Sequence, residues 1–333
     1  MRVDIGVFAH DEAEGIAAMV AGLLAQDLSG LEARIVVLAN GCRDDTVARA
    51  VAAGGARLEV VDLPLGGKSR TWTRFVHDLS RREAEVLIFA DADIEFTAPD
   101  SLRRLALGLA ARPDLWVLNS QPVKDLVARP AGLSPLERVI AAAGGGLDEW
   151  KTAICGQLYA MPAARARAFH LPVGLPVEDG FLRAMVLTDT LTRPEDLSRI
   201  DGLDGLSHIY ASERGIRALI HHQTRIVIGS AVNFAAFGTL RALPDAARRP
   251  ELARAAADEG WLGRAVSRQL PRWPFGYVPV HFLTKRLARF LSDRRAILRP
   301  KRFAVALLGF GFDAIVYLLA QYRMARGTGA GHW

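Results

Sequence analysis

Lysine is scarce in this chain of 333 residues: only 5 of the 42 basic side chains are lysine, the rest arginine. Cysteine is scarcer still. Cys42 and Cys155 stand far apart, which excludes both a disulfide scaffold and a cysteine-based metal knuckle and predicts free thiols in a reducing compartment. No leader segment is expected ahead of the fold, because Val3–Phe8 already reads as a first strand. Nor is there a long uninterrupted apolar run. The best candidate, Phe303–Ala320, is an 18-residue stretch broken by Asp313, whereas a membrane span takes about 20 apolar residues. A central Asp costs ~2.5–3.5 kcal/mol on insertion scales, so this stretch is expected to be a buried or interfacial helix.

The charge is unevenly placed. The net charge is +6, but residues 1–240 carry 25 Lys+Arg against 30 Asp+Glu, and residues 241–333 carry 17 against 6. Aromatic side chains (Trp261, Trp273, Phe275, Tyr277, Phe282, Phe290) are interleaved in the basic part. That mixture suits an anionic membrane surface, and equally a solvated basic helical region whose aromatics form core. No nucleic-acid motif accompanies it. With Arg294, Arg295, Arg299, Lys301 and Arg302 just ahead of the apolar stretch, peripheral contact with a cytoplasmic membrane leaflet is the expectation for a cytoplasmic protein of this kind.

The strongest local pattern is Val86–Phe96, an aliphatic and aromatic run that ends abruptly in Asp91, Asp93 and Glu95. Val86–Ala90 has the character of a strand buried on both faces. Strand alternation predicts that Asp91 and Asp93 project to one side at its C-terminal tip, the edge where open α/β sheets bind ligands. Two unit charges ~4 Å apart at an effective dielectric near 20 repel by about 4 kcal/mol, so such a pair needs a proton or a cation. Hard oxygen ligands favour Mg²⁺ or Mn²⁺. The plainer alternative is a turn in which one Asp caps the next helix.

Strands and helices alternate before this point: strand Val3–Phe8, helix Glu14–Gln26, strand Arg34–Ala39, a helix ending near Ala53, strand Leu58–Asp62 and helix Lys68–Arg81. This order predicts βαβ units and an open, mostly parallel sheet flanked by helices. The segments at the strand ends are polar or glycine-rich: Ala9–Glu12, Asn40–Asp45, Gly66–Lys68 and Asp91–Asp93. Beyond them, helix Pro99–Ala111, strands Leu115–Val123 and Ile154–Met161, and a helix Gly180–Leu187 are expected. Gly156 reads as a place where backbone passes close to a ligand. Glu178 and Asp179 precede the last of these helices, a position that favours capping as much as chemistry. Leu252–Leu270 and Val280–Leu291 read as amphipathic helices.

Two apparent motifs fail on context. Gly67-Lys68-Ser69 resembles the end of a Walker A loop, but the required first glycine is Asp62. Gly309–Ala314 spells a dinucleotide fingerprint inside an apolar segment with no βαβ unit around it. Lys68 still draws notice, since it follows two glycines at a helix start and, with Arg70 and Arg74, could meet a diphosphate.

Taken together, over about residues 2–235, these segments resemble the family 2 glycosyltransferases of the GT-A fold. Ala9-His10-Asp11-Glu12 matches that family's opening acidic segment and Asn40–Thr46 its second nucleotide-contacting loop. Gly67–Arg70 matches a basic loop, Asp91-Ala92-Asp93 the DxD metal motif, and Glu178-Asp179 the late acidic pair. The resemblance implies a GT-A-like catalytic domain over 1–240, with a basic, mainly helical region over 241–333. It implies a nucleoside-diphosphate-sugar donor contacted by Ala9, His10, Glu12, Asn40, Asp45, Lys68, Arg70, Asp91 and Asp93. It also implies a divalent metal on Asp93 and Asp91, a general base at Asp179 beside Glu178, and a hydroxyl acceptor. Ala39 stands where many members carry an acidic residue, which leaves the donor base open. The later motif of chain-building members falls at His221–Ile226, where only Arg225 survives, so transfer of a single sugar is favoured over processive synthesis. His221 or His222 is a further candidate metal ligand. Two other classes fit parts of the pattern: a nucleotidyltransferase releasing pyrophosphate, and a non-catalytic nucleotide-sugar or membrane-binding protein.

Overall fold

The computed structural model describes residues 1–142, 149–270, 276–292 and 300–327. The glycines at 144–146, Asp148, Trp273, Phe275, Arg294, Arg295 and Arg299 lie outside them. Four strands open the chain: β1 (Arg2–Ala9), β2 (Glu32–Asn40), β3 (Glu59–Leu63) and β4 (Val86–Asp91). They pair in parallel as β3-β2-β1-β4, with Val3 opposite Ala33 and Val86. Their connecting helices are α1 (Ile16–Leu24), α2 (Thr46–Gly54) and α3 (Lys68–Arg74). The helix expected to run to Arg81 ends in a wider π-turn, Phe75–Leu79.

The sheet continues through β7 (Leu158–Pro162), β6 (Val117–Lys124), β8 (Ile200–Tyr210) and β5 (Ile94–Phe96), giving eight strands in the order β3-β2-β1-β4-β7-β6-β8-β5. Here β4–β7, β7–β6 and β8–β5 run antiparallel, while β6–β8 is parallel. The strand read as Ile154–Met161 starts later, at Leu158. The sheet is thus open and mostly parallel, as the alternation predicted.

Strand alternation builds two cores from the same strands. Val7, Ile35, Val37, Ile88 and Ala90 face α1 and α4 (Ser101–Ala110), while Phe8, Val36, Leu38, Leu87 and Phe89 face the other layer. On that second face Phe89 stacks with both Trp72 and Tyr159, with ring centroids 5.6 and 4.7 Å away, and the Trp72 indole N–H donates to the Tyr159 hydroxyl at 2.9 Å. Past the short helices α5 (Asp125–Ala128), α6 (Pro135–Ala142) and α7 (Ala163–Ala166), this layer also takes in α8 (Glu178–Thr188) and a 26-residue helix, α9 (Ile216–Arg241).

After α9 the chain stays helical: α10 (Asp245–Ala255), α11 (Trp261–Gln269), α12 (His281–Ser292) and a C-terminal helix, Pro300–Ala325. The single helix expected over Leu252–Leu270 is therefore two. Leu252, Trp261, Leu262, Val316, Tyr317 and Ala320 belong to the same core as Phe89 and Phe181. Asp313 is buried in the C-terminal helix, where both of its oxygens accept from Arg286 of α12, at 2.8 and 3.1 Å. The pairing removes the isolated charge that would make this helix costly to bury.

Candidate active site

The C-terminal ends of β1, β2 and β4 bring the polar segments together. Ala9 is buried at the end of β1, and the next two loops are stitched to each other. The His10 Nδ1–H donates to the Asn40 carbonyl at 2.6 Å, the Glu12 amide to Thr46 Oγ1 at 2.8 Å, and the Arg43 amide to Asp11 Oδ1 at 2.7 Å. Asn40 is buried and its side-chain oxygen accepts from Thr71 at 2.8 Å, so its side chain fixes this loop against α3. Asp45 is exposed at the start of α2.

The DxD segment does not follow the alternation argument past its first member. Asp91 is the last residue of β4, and the chain turns at Ala92 and Asp93 before entering β5. Asp93 is therefore an exposed turn residue, whereas Asp91 is largely enclosed. The Asp91 amide donates to the Gln157 carbonyl at 2.8 Å and the Ala92 amide to the Phe8 carbonyl at 3.0 Å, which pins the turn.

Lys68 is the hub of the site. Its buried ammonium donates to both oxygens of Asp91, at 2.6 and 2.7 Å, and to the Gly156 carbonyl at 3.0 Å, and it lies 3.3 Å from Glu178 Oε1. Burial opposes its charge, but Asp91 and then Glu178 outweigh burial and hold the lysine charged well above its ordinary range. Arg70, the other basic residue expected at the donor, forms an ion pair with Glu259 just ahead of α11. Arg74 pairs with Asp78 one turn on, at 3.1 Å.

Glu178 and Asp179 form the first turn of α8. Asp179 Oδ1 accepts from the Gly180 amide at 2.7 Å. Burial, then the neighbouring Glu178 charge, push the Asp179 carboxyl up to about 6, against the pull of Lys68. Burial pushes Asp91 up to about 7, Lys68 opposing and Asp93 adding. Gly156 has φ +68°, and a Cβ built there would stand 3.3 Å from Asp179 Oδ2. The close approach read from the sequence at Gly156 is thus to the Asp179 side chain.

The metal-ligand expectation divides. Burial, then the charges of Asp93 and Asp44, push Glu12 up to about 7, so this corner holds more negative charge than its surroundings balance. Hard oxygen donors in that setting fit Mg²⁺ or Mn²⁺, with Asp93 as the open ligand and Asp91 already neutralised by Lys68. His222 does not join them: its Nδ1 lies 2.7 Å from Glu213 Oε1. Among the described residues, the group of three candidate ligands whose donor atoms lie within 4.8 Å of one another is Asp11, Cys42 and Asp44. A histidine not read from the sequence, His208, is buried on β8, with Nδ1 3.0 Å from Ser120 Oγ and Nε2 3.2 Å from Gln157 Oε1. Burial pulls its imidazole down to about 4, so it is neutral. Sequence reading missed it because β8, interrupted by Gly202 and Gly205, has no clear period.

Helix α9 closes the site from behind. Gly229 lies against Val177, where a built Cβ would come within 2.3 Å of Val177 Cγ2, and Asn233 donates to the Val177 carbonyl at 3.1 Å. One turn before Gly229, Arg225 acts on the Asp179 charge.

No family model and no curated protein matches this chain. Solved structures do. The chain is similar to a mannosyltransferase of Pyrobaculum calidifontis solved with GDP-Man and Mn²⁺, at 16% identity and a TM-score of 0.53, covering 97% of this chain and 86% of that one. It is also similar to the glucosyl-3-phosphoglycerate synthase of Mycobacterium tuberculosis, at 20% identity and a TM-score of 0.47, covering 73% of this chain and 81% of that one. The chain has the fold of GT-A nucleotide-sugar glycosyltransferases.

Proposed function

We propose that the protein is a metal-dependent, inverting glycosyltransferase that moves one sugar from a nucleoside-diphosphate-sugar to a hydroxyl acceptor. The observation that carries this reading is the convergence of Asp91, Lys68, Glu178 and Asp179 behind the exposed Asp93, at the C-terminal ends of parallel strands. The fold's similarity to an enzyme solved with GDP-Man and Mn²⁺ agrees with it.

Each group has a role its setting supports. Asp93, with Glu12 nearby, would hold the divalent cation, whose chemistry is to neutralise the departing diphosphate. Lys68 favours the ionised form of Asp91 against burial and ties β4 to α8, so the two acidic segments keep one spacing. Asp179 takes the proton of the acceptor hydroxyl as its oxygen bonds to the anomeric carbon and the bond from that carbon to the diphosphate breaks. A carboxyl near 6 is ionised at pH 7 and is a stronger base than an ordinary aspartate.

The C-terminal helix supports membrane contact. Val305, Leu308, Ile315, Leu319 and Tyr322 lie exposed along one side while Val316, Tyr317 and Ala320 pack inward. By length and composition its Val305–Ala325 stretch could cross a membrane. The basic surroundings and the pairing of buried Asp313 with the half-exposed Arg286 fit a helix lying at the surface of an anionic leaflet. Flotation with anionic vesicles at low salt should carry the protein, and Leu308→Glu should reduce this. Unchanged flotation of the variant overturns the assignment.

The central test is donor binding: thermal shift against nucleoside diphosphates and nucleotide sugars, with and without Mn²⁺, on the wild type and on Asp93→Ala. A metal-dependent shift for one nucleotide, lost in the variant, is expected. No shift with any nucleotide removes the reading.

A further inference from the structure

Two residues just ahead of β7 touch three charged residues of the site. The Gly156 carbonyl accepts from Lys68 at 3.0 Å, and the Gln157 carbonyl accepts from the Asp91 amide at 2.8 Å. A Cβ built on Gly156 would stand 3.3 Å from Asp179 Oδ2 and 3.4 Å from Asp179 Cβ, so the Asp179 side chain lies directly along this backbone. The Gly156–Gln157 segment is therefore the spacer between the Asp91–Lys68 pair and the carboxylate of Asp179. It precedes the regular strand, which begins at Leu158, and Gly156 holds a φ of +68°.

A hydrogen-bonded chain that crosses the sheet ends on this segment. The Gln157 side-chain oxygen lies 3.2 Å from His208 Nε2 on β8, and His208 Nδ1 lies 3.0 Å from Ser120 Oγ on β6. His208 and Ser120 are fully buried, and burial keeps the imidazole neutral. A neutral ring has one donor nitrogen and one acceptor. With an amide oxygen facing Nε2, the proton sits there: Nε2–H donates to Gln157, and Nδ1 accepts from the Ser120 hydroxyl. Both nitrogens are used, which gives the ring a single orientation.

The strands are irregular at this point. β6 pairs with β8 through Asn119 and Gly202, then again through Gln121 and Ser207, and Ser120 falls in the break. Breaks of this kind re-aim a side chain and concentrate beside active sites. Here the break sets Ser120 against the residue that follows Ser207, which is His208.

We propose that His208 is a positioning residue for sugar transfer: through Gln157 it holds the Gly156–Gln157 segment and so fixes the Asp179 carboxylate relative to the Asp91–Lys68 pair. The proposal rests on the glycosyltransferase reading for the role of Asp179. A reacting group has to be held within about 0.5 Å of its productive geometry by neighbours whose own orientation is locked. Ser120 and His208 supply such a lock.

The test is a set of double-variant cycles, with Asp179→Asn placed in wild type, Gln157→Met, His208→Leu and His208→Gln. Gln157 is half-buried and methionine keeps its length, so Gln157→Met carries the test even where His208→Leu fails to fold. The Tm shift made by Asp179→Asn at pH 7.5 is expected to shrink by at least half in Gln157→Met and His208→Leu, because a loosened segment lets the native carboxylate reach water. His208→Gln, whose amide can donate where Nε2 does, should restore it. A second arm follows release of the nucleoside diphosphate from the donor with water as acceptor. There kcat should fall at least ten-fold in Gln157→Met, with donor KM within two-fold, and recover in His208→Gln relative to His208→Leu. An Asp179→Asn shift of equal size in every background, the additivity expected of independent sites, overturns the proposal. So does wild-type kcat in Gln157→Met. Absence of any nucleotide-dependent thermal shift strikes the glycosyltransferase reading instead, so the two failures are separate readouts.

Discussion

Replacing Asp179 by asparagine removes one charge and keeps the shape of the side chain, including the oxygen that accepts from the Gly180 amide at 2.7 Å. Burial and the Glu178 charge raise this carboxyl from 3.8 to about 6. The native protein thus holds the Asp179 proton through a pH window in which the unfolded chain has released it. Between about pH 4 and 6 the native state binds more protons, so this group's contribution to stability is full below pH 4 and is lost as pH rises through 6. A gap of roughly two pH units is about 3 kcal/mol of destabilisation at neutral pH. Asp179→Asn should recover it. For a chain of this length, with an unfolding entropy of about 2.1 cal/mol/K per residue, the gain is roughly 4 °C in Tm. Thermal melts of wild type and variant from pH 4 to 7.5 measure it. The variant should melt higher at pH 7.5, with the difference closing near pH 4, while turnover falls by about 10²–10⁴-fold for loss of the base. A variant less stable than wild type at pH 7.5, or a gain equally large at pH 4, would refute the assignment of a buried, strained charge to Asp179. Wild-type turnover should itself decline as pH falls through about 6, where Asp179 takes up its proton.

Lys68→Met leaves Asp91 and Glu178 facing each other without their shared ammonium; about 3–5 kcal/mol is expected to be lost at pH 8, less at pH 5 where protonated carboxyls need no partner, as urea unfolding at the two pH values will show. Gly156→Ala combines a φ of +68° with a Cβ 3.3 Å from Asp179 Oδ2. The backbone term is roughly 1–2 kcal/mol, and displacement of Asp179 should lower kcat more than it changes donor affinity; a proportionate change in donor binding would count against it. Arg286→Leu strands the buried Asp313 and should cost about 3–5 kcal/mol in denaturant unfolding, most of it restored by adding Asp313→Leu. If the double variant is as weak as the single one, the pair is not what holds α12 to the C-terminal helix.

The first half of the sheet was legible because β1, β2 and β4 are short, continuous apolar runs whose polar ends fall where parallel strands bind ligands. The strands β5 and β8 were not. One is three residues long, and the other carries Gly202, Asp204 and Gly205 through a half-exposed edge with an irregular register against β6. Helix α9 escaped notice for a related reason: His221, His222, Gln223 and Arg225 occupy its start, and Gly229 and Gly238 interrupt its apolar face. Those glycines are there for packing, since a Cβ at Gly229 would strike Val177 and one at Gly238 would strike Gln269. The acidic residues of the site, Lys68 and Gly156 could each be picked out in the chain, but their pairing could not. Lys68 and Asp91 are 23 residues apart and Lys68 and Gly156 are 88 apart, and only the folded chain makes them neighbours.

Those pairings give the site a direction. At the β1 and β2 end, Glu12, Asp44 and Asp93 crowd their charges, and Glu12 is driven up to about 7 by burial and that crowding. In the middle, Lys68 balances Asp91 and Glu178. Crowded like charge at the first end is unfavourable for the empty protein, because the cluster repels itself. It becomes favourable when a cation enters there. Asp179 has its own charge disfavoured by burial and by Glu178 yet partly held by Lys68 and Arg225. A proton arriving there relieves the central crowding as well, so the same electrostatics that make the resting site costly favour the step in which the acceptor hydroxyl gives its proton up.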